Sequence, residues 1–187
     1  PDKFNAFNRE LALGVQEALR LAATDAKVRC VVITGAGKAF CAGQDLGEAI
    51  AEDGPTLRDI VAKHYNPIIK AIRELPKPVI AAVNGTAAGA GFSLLMAADL
   101  AIAAESAVMT MAYTNAGLSP DGSSTYYMPR KIGDRRAREL MLTNRVLNAQ
   151  EALDWGVVNQ VVADGEALPA AQKLAAKLAQ GPTQAYG

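Results

Sequence analysis

Apolar residues recur at helical spacing near the start of the chain. Across residues 7–23, Leu11, Val15, Ala18, Leu19 and Ala22 share one face, which predicts an amphipathic helix. The period then changes. "VRCVVITGAG" is a short β-branched run ending in glycine, as expected of a buried strand that leaves through a turn. "KAFCAGQDLGEA" follows as a loop, and residues 48–59, with Gly54-Pro55, read as a mobile segment. Residues 62–74 return to helical spacing until "LPKP" stops them. "VIAAVNG" predicts a second buried strand, "TAAGAG" a turn, "FSLLMAA" a small-residue helix and "DLAIAAE" a third strand. Beyond a turn around Asp121, helices are expected over 133–142 and 149–155, a strand at "VVNQVV" and a last helix over 167–179. Strands alternating with helices predict an α/β domain with largely parallel strands. No repeat of 20–50 residues stands out. Two strands nevertheless end alike, "VVITGAGKAFCAG" and "VIAAVNGTAAGAG", each running into a Gly/Ala-rich loop.

Composition narrows the function classes. The 187 residues are half hydrophobic and one-fifth charged, as in an ordinary globular domain. Lysine plus arginine equals aspartate plus glutamate at 19 each, so no basic footprint points to nucleic acid. Cys30 and Cys41 form neither a disulfide framework nor a metal-ligand spacing, and no metal site is expected. The single histidine, His64, has no Gly-x-Ser-x-Gly elbow to serve and reads as a surface or half-buried helix residue. Asp99 and Glu105 interrupt the richest apolar stretch, so no membrane span is expected. Without a signal peptide the expected location is cytoplasmic. The opening "PDKFNAFN" has no starting Met and reads as a chain entered just after a strand.

The candidate chemistry lies in the glycine loops. Gly85-Thr86-Ala87-Ala88-Gly89-Ala90-Gly91 stands between a strand and a helix, where the first helical N–H groups lack internal partners. "FCAGQDL" offers a second N–H from another loop. Two such donors aimed at one oxygen would make an oxyanion hole, each worth roughly 2.7–4 kcal/mol in a transition state. Glycine ahead of a helix equally serves tight packing. "GAGK" lacks the Gly-Lys-Ser/Thr of a phosphate loop, and Gly89-Ala90-Gly91 lacks the last glycine of a dinucleotide fingerprint. Asp121, in "NAGLSPDGSST", has the chemistry of a turn or cap residue as well as that of an acid/base.

Taken together, "PDKFNAFN", "VVITGAGKAFCAGQDL", "KPVIAAVNGTAAGAGFSLLMAADLAIAAESA", "GLSPDGSSTYYMPRKIG" and "ELMLTNRVLNAQEALDWGVVNQVV" resemble the crotonase family, the enoyl-CoA hydratase/isomerase superfamily. The resemblance covers nearly the whole chain, in family order. It implies one domain over residues 1–187, a crotonase-like α/β spiral of repeated ββα units with a C-terminal helical part. The family's opening strand and last helices would lie outside this sequence. It implies an acyl-CoA thioester substrate, no cofactor beyond the coenzyme A moiety of that substrate, and a homotrimer or a hexamer built as a dimer of trimers. By motif, the oxyanion donors would be the backbone N–H groups of Gln44 and Ala90. Lys3 and Phe4, together with Ala42, Gln44, Asp45, Leu46 and Gly89, would lie along coenzyme A.

Departures from the family pattern select among its chemistries. Family hydratases use two glutamates, and those positions fall here on Ser93 and Tyr113. Asp121 instead falls where the ring-epoxide and enoyl-CoA isomerases of phenylacetyl-CoA degradation, and the 4-chlorobenzoyl-CoA dehalogenases, carry a catalytic aspartate. "GLSPDGSST" with the upstream "TMAY" is most similar to the isomerases. The dehalogenase histidine and tryptophan positions fall on Asn66 and Tyr113. The resemblance therefore implies an enoyl-CoA isomerase with Asp121 as acid/base and Tyr113 lining the acyl pocket. A hydratase, a dehalogenase-like hydrolase and a non-catalytic acyl-CoA-binding subunit stand as alternatives. Ser93 reads as a small polar filler facing the pocket, Cys41 as a packing residue, and Arg130, Lys131, Arg135, Arg136 and Arg138 as a charged helix face.

Overall fold

The computed structural model describes residues 2–186. The chain enters through α1 (Arg9–Thr24), capped by the Asn8 side chain, which accepts from the Leu11 N–H. Ala12, Leu19 and Ala22 are buried and Val15 packs against the core, whereas Leu11 and Ala18 face outward. Val15, Leu19 and Ala22 thus face the core as expected, and Ala12 takes the place of Leu11 and Ala18. The helix rests on the one formed by Asn66–Glu74, and its buried stripe runs through position 12, not 11.

β1 (Val31–Thr34), β3 (Val79–Val83), β5 (Leu100–Ala104) and β8 (Gln160–Val162) form one all-parallel sheet in the order β1-β3-β5-β8. β2 (Ala39–Cys41), β4 (Thr86–Ala88), β6 (Val108–Thr110) and β7 (Leu147–Asn148) form a second sheet, parallel except for β6–β7. Three times the chain passes from the first sheet into the second and then into helix, which is the expected ββα spiral. Val31 pairs with Val79 and Ile80 with Leu100, so successive units are separated by unequal lengths of chain. That inequality is why no fixed period shows in the sequence.

β2 and β4 were expected as loop and turn, and no element was assigned to the stretch that forms β6. Each is three residues long, too short to show an alternation. Between β2 and β3, α2 (Leu46–Ala49) and α3 (Leu57–Ile60) break the expected mobile segment, and a π-helical turn (Val61–Tyr65) joins α3 to α4 (Asn66–Glu74). His64 sits in that turn and is buried, not at the surface or half-buried as expected. α5 (Ala90–Ala97) is buried along its whole length. α6 (Ser124–Ile132) follows the Asp121 turn and was masked in the sequence by its Ser-rich start and internal Pro129. α7 (Asp134–Thr143), α8 (Ala149–Trp155) and α9 (Ala167–Ala179) lie where expected.

β3 shows why the first sheet reads as unbroken apolar runs. Val79, Ala81 and Val83 join the main core with Phe92, Leu95 and Met109, while Ile80 and Ala82 face Ala171 of α9. Both faces are covered, so no polar residue is needed on either. The loops that leave these sheets, and the start of α5, meet at the candidate site.

Candidate functional site

Two loops meet at one end of the second sheet. The chain leaves β2 through Ala42-Gly43-Gln44, where Phe7 N–H donates to the Gly43 carbonyl at 2.6 Å and Asp45 N–H to the Phe7 carbonyl at 2.8 Å. It leaves β4 through Gly89, at φ 51° and ψ −122°, a backbone region essentially confined to glycine. That conformation starts α5 at Ala90, whose N–H is among those a helix cannot satisfy internally. A Cβ built on Gly43 would lie 3.6 Å from the Ala90 nitrogen, so the loops are in contact. Among the described residues, neither the Gln44 nor the Ala90 N–H donates a hydrogen bond to another group. Both residues line a cavity of about 200 Å³, shared with Tyr65, Tyr113 and Asp121 and otherwise walled by apolar side chains such as Leu57, Ile60 and Leu118.

Asp121 is the only carboxylate among the described lining residues. Its Oδ1 accepts from the Tyr113 hydroxyl at 2.7 Å. Burial pushes its carboxyl above the usual carboxylate range, and the Tyr113 hydrogen bond pulls the other way. Its backbone is held as tightly: the Asp121 carbonyl accepts from Ser124 N–H at 3.0 Å and from Ser124 Oγ at 2.7 Å. Gly122, at φ 55°, packs so closely that an added Cβ would lie 2.8 Å from the Ser93 Cβ. Non-glycine residues with positive φ flank the acid on both sides, Ala112 before Tyr113 and Ser123 after Gly122. Backbone strain of this kind costs about 1–3 kcal/mol per residue and persists where surrounding contacts impose it.

The residues expected along coenzyme A separate into two groups. Ala42, Gln44, Leu46 and Gly89 line the cavity. Lys3, Phe4 and Asp45 sit beside it, where Lys3 Nζ meets Asp45 Oδ2 at 2.7 Å and Ala42 N–H donates to the Phe4 carbonyl at 3.0 Å. The Lys3 hydrogen bond holds the Asp45 carboxyl below its usual value against a desolvation cost, helped by the Gly47 N–H. Phe4 and Leu46 are exposed.

Other candidates are quiet. Cys41 is buried and its thiol is pushed up to about 11 by desolvation, which keeps it a neutral packing group. Much of the basic face on α6 and α7 is used within the chain: Arg130 lies 3.6 Å over the Tyr126 ring, Arg136 lies 4.7 Å over Trp155, and Arg138 pairs with Asp134. Among the described residues no three His, Cys, Asp or Glu side chains cluster as metal ligands, and no helix is long and apolar enough to cross a membrane. Among the polar lining residues, Tyr65 was the one not expected at the site. The hydroxyl of Tyr65 donates to the Gln44 side-chain carbonyl, and desolvation first, then the charge of Asp121, raises its phenol well above the usual value. Its signal was the apolar spacing with Ile68, Ile69 and Ile72 on the next helix.

The sequence profile described as enoyl-CoA hydratase/isomerase matches residues 1–187. The 1,2-epoxyphenylacetyl-CoA isomerase of Escherichia coli is 43% identical over 190 residues, covering all of this chain and 72% of that protein. The 4-chlorobenzoyl coenzyme A dehalogenase-2 of an Arthrobacter species is 37% identical over 190 residues, covering all of this chain and 69% of that protein. The crystal structure of an enoyl-CoA hydratase from Bacillus anthracis superposes with a TM-score of 0.93 at 37% identity, over 97% of this chain and 70% of that one.

Proposed function

The chain belongs to the enoyl-CoA hydratase/isomerase family, and from that premise we propose that it isomerises an acyl-CoA thioester with Asp121 as the acid/base. The observation that carries this reading is the single carboxylate among the described residues of a largely apolar cavity, which two N–H groups without partners also line. Asp121 takes a proton from a carbon conjugated with the thioester carbonyl. The electron pair left behind moves onto the carbonyl oxygen, which the Gln44 and Ala90 N–H groups stabilise as an enolate. The same carboxylic acid returns the proton to another carbon, so the double bond moves and no atom is gained or lost. The carboxyl's raised pKa brings the base closer to its task. Similarity to an isomerase at 43% identity supports this choice over hydration.

Hydration by the two-glutamate route lacks its groups, because Ser93 and Tyr113 occupy those positions and their hydroxyls are hydrogen-bonded to each other. The reading extends to coenzyme A along Lys3, Phe4, Ala42, Asp45, Leu46 and Gly89, to no cofactor beyond it, and to a homotrimer or a hexamer.

The test offers 2-enoyl, 3-enoyl and phenylacetyl-type CoA thioesters to the protein and to Asp121→Asn. The expected product has the substrate's mass with a displaced double bond, and the variant loses about 10²–10⁴-fold in turnover while still binding thioester. A product heavier by one water would replace isomerisation with hydration. Tight binding without turnover of any acyl group would make the protein a binding subunit.

A further inference from the structure

Asp121 does not stand alone in its wall. Tyr113, 7% exposed, donates to Asp121 Oδ1 at 2.7 Å, and the Ser93 hydroxyl, 1% exposed, lies 2.9 Å from the Tyr113 oxygen. The Ser93 hydroxyl has one proton and three acceptors within reach: the Tyr113 oxygen, the Asp121 carbonyl at 3.1 Å and the Gly89 carbonyl at 3.4 Å. We propose that Tyr113 and Ser93 are positioning residues for Asp121, a two-hydroxyl chain that occupies one carboxylate oxygen and leaves the other to exchange the substrate's proton.

The proton count dictates how the chain behaves. An ionised Asp121 can only accept, so the Tyr113 proton must point to Oδ1. The Tyr113 oxygen is then free to accept from Ser93, and each donor polarises the next. Once Oδ2 holds the substrate's proton, the pull on Tyr113 weakens. Ser93 can then turn its proton to the backbone carbonyl of Asp121 or Gly89. No covalent bond breaks in the chain; the Ser93 hydroxyl rotates. The arrangement follows the charge on Asp121 and opposes the motion of its carboxylate between the two carbons it serves. One acceptor of the Ser93 proton is the carbonyl of Gly89, which immediately precedes the Ala90 donor, so the chain ties the base to the N–H pair across the cavity.

The groups facing Asp121 are few. Tyr113 faces it from the segment after β6 and Tyr65 from the π-helical turn, with Cys41 and Glu48 beyond Tyr65. No lysine or arginine lines the cavity among the described residues. Tyr113 is therefore the group that opposes the desolvation of the carboxyl.

The inference rests on Asp121 being the base, and the test separates the two. The pH profile of kcat/KM is measured on the acyl-CoA that turns over, for the protein, Tyr113→Phe, Ser93→Ala and the double variant, with thioester affinity and melting temperature as controls. Phe keeps the ring, so the fold is expected to hold. Loss of the hydrogen bond should move the acid limb of the profile up by roughly one pH unit and lower kcat about 10–100-fold with little change in KM. Ser93→Ala should move the limb in the same direction by a few tenths of a unit, and by nothing further when Tyr113 is already Phe. An unmoved acid limb in Tyr113→Phe, or an equal effect of Ser93→Ala in both backgrounds, overturns the chain. Both outcomes are read against Asp121→Asn: an active Asp121→Asn removes the base itself, whereas an inactive one with an unmoved limb removes only Tyr113 and Ser93.

Discussion

Asp121 is placed where its charge is costly, and stability should report it. Its folded-state pKa is raised by burial, so the folded protein keeps this proton to higher pH than the unfolded chain. The stability linked to that proton is complete below the unfolded pKa and is lost as pH rises through the folded one. Asn at this position still accepts from Tyr113 and cannot ionise. Asp121→Asn is therefore expected to melt above the parent protein at about pH 8, with the gap closing toward about pH 4, although it has lost turnover. Equal melting temperatures at about pH 8 would contradict a destabilised carboxylate. Asp121 was legible in the sequence as an acid in a turn that the family motif reaches. Tyr113 was legible only in part. Its place on the cavity wall followed from the motif, but the direction of its hydroxyl depends on Ala112 adopting φ 57°, and alanine gives no sign of a left-handed backbone.

At the scale of elements, the N–H pair depends on how closely α5 approaches β2. A Cβ on Gly91 would fall 2.1 Å from the Cys41 carbonyl oxygen. Gly91→Ala must push the start of α5 away from β2 and carry Ala90 with it. A loss of about 1–3 kcal/mol in urea unfolding is expected, together with reduced turnover. Gly14 is the contrasting case, mid-helix in α1 with nothing within 4 Å of its would-be Cβ. Gly14→Ala should stabilise by about 0.5–1 kcal/mol and leave turnover unchanged. Unfolding midpoints check both, and equal effects would contradict the packing account. Elements with local signals were readable: α8 was expected over 149–155, and the structure bounds it with an Asn148/Glu151 capping box and Gly156. β2, β4 and β6 were not, because three residues carry no period, and the π-helical turn that presents Tyr65 has no sequence signature at all.

For the whole molecule, the spiral was legible through motif order and not through periodicity, since the inserted helices make the units unequal. The proposed trimer or hexamer has a direct check. Leu142 and Val146 are 74% and 54% exposed on the single chain, near the end of α7. Sedimentation at micromolar concentration is expected to give a trimer or its double; a monomer would contradict it.

On the proposed reading, Asp121 carries a proton between two carbons of a bound thioester. The most direct measurement of that transfer is isotope entry from D₂O into the acyl chain, followed by NMR in the protein and in Asp121→Asn. With the parent protein, deuterium is expected at the carbon that receives the proton, entering as the Asp121 carboxyl exchanges with solvent between its two transfers; with the variant none is expected, despite retained thioester binding. Exchange by Asp121→Asn at the parent rate would contradict this reading and return Asp121 to the role of a turn residue.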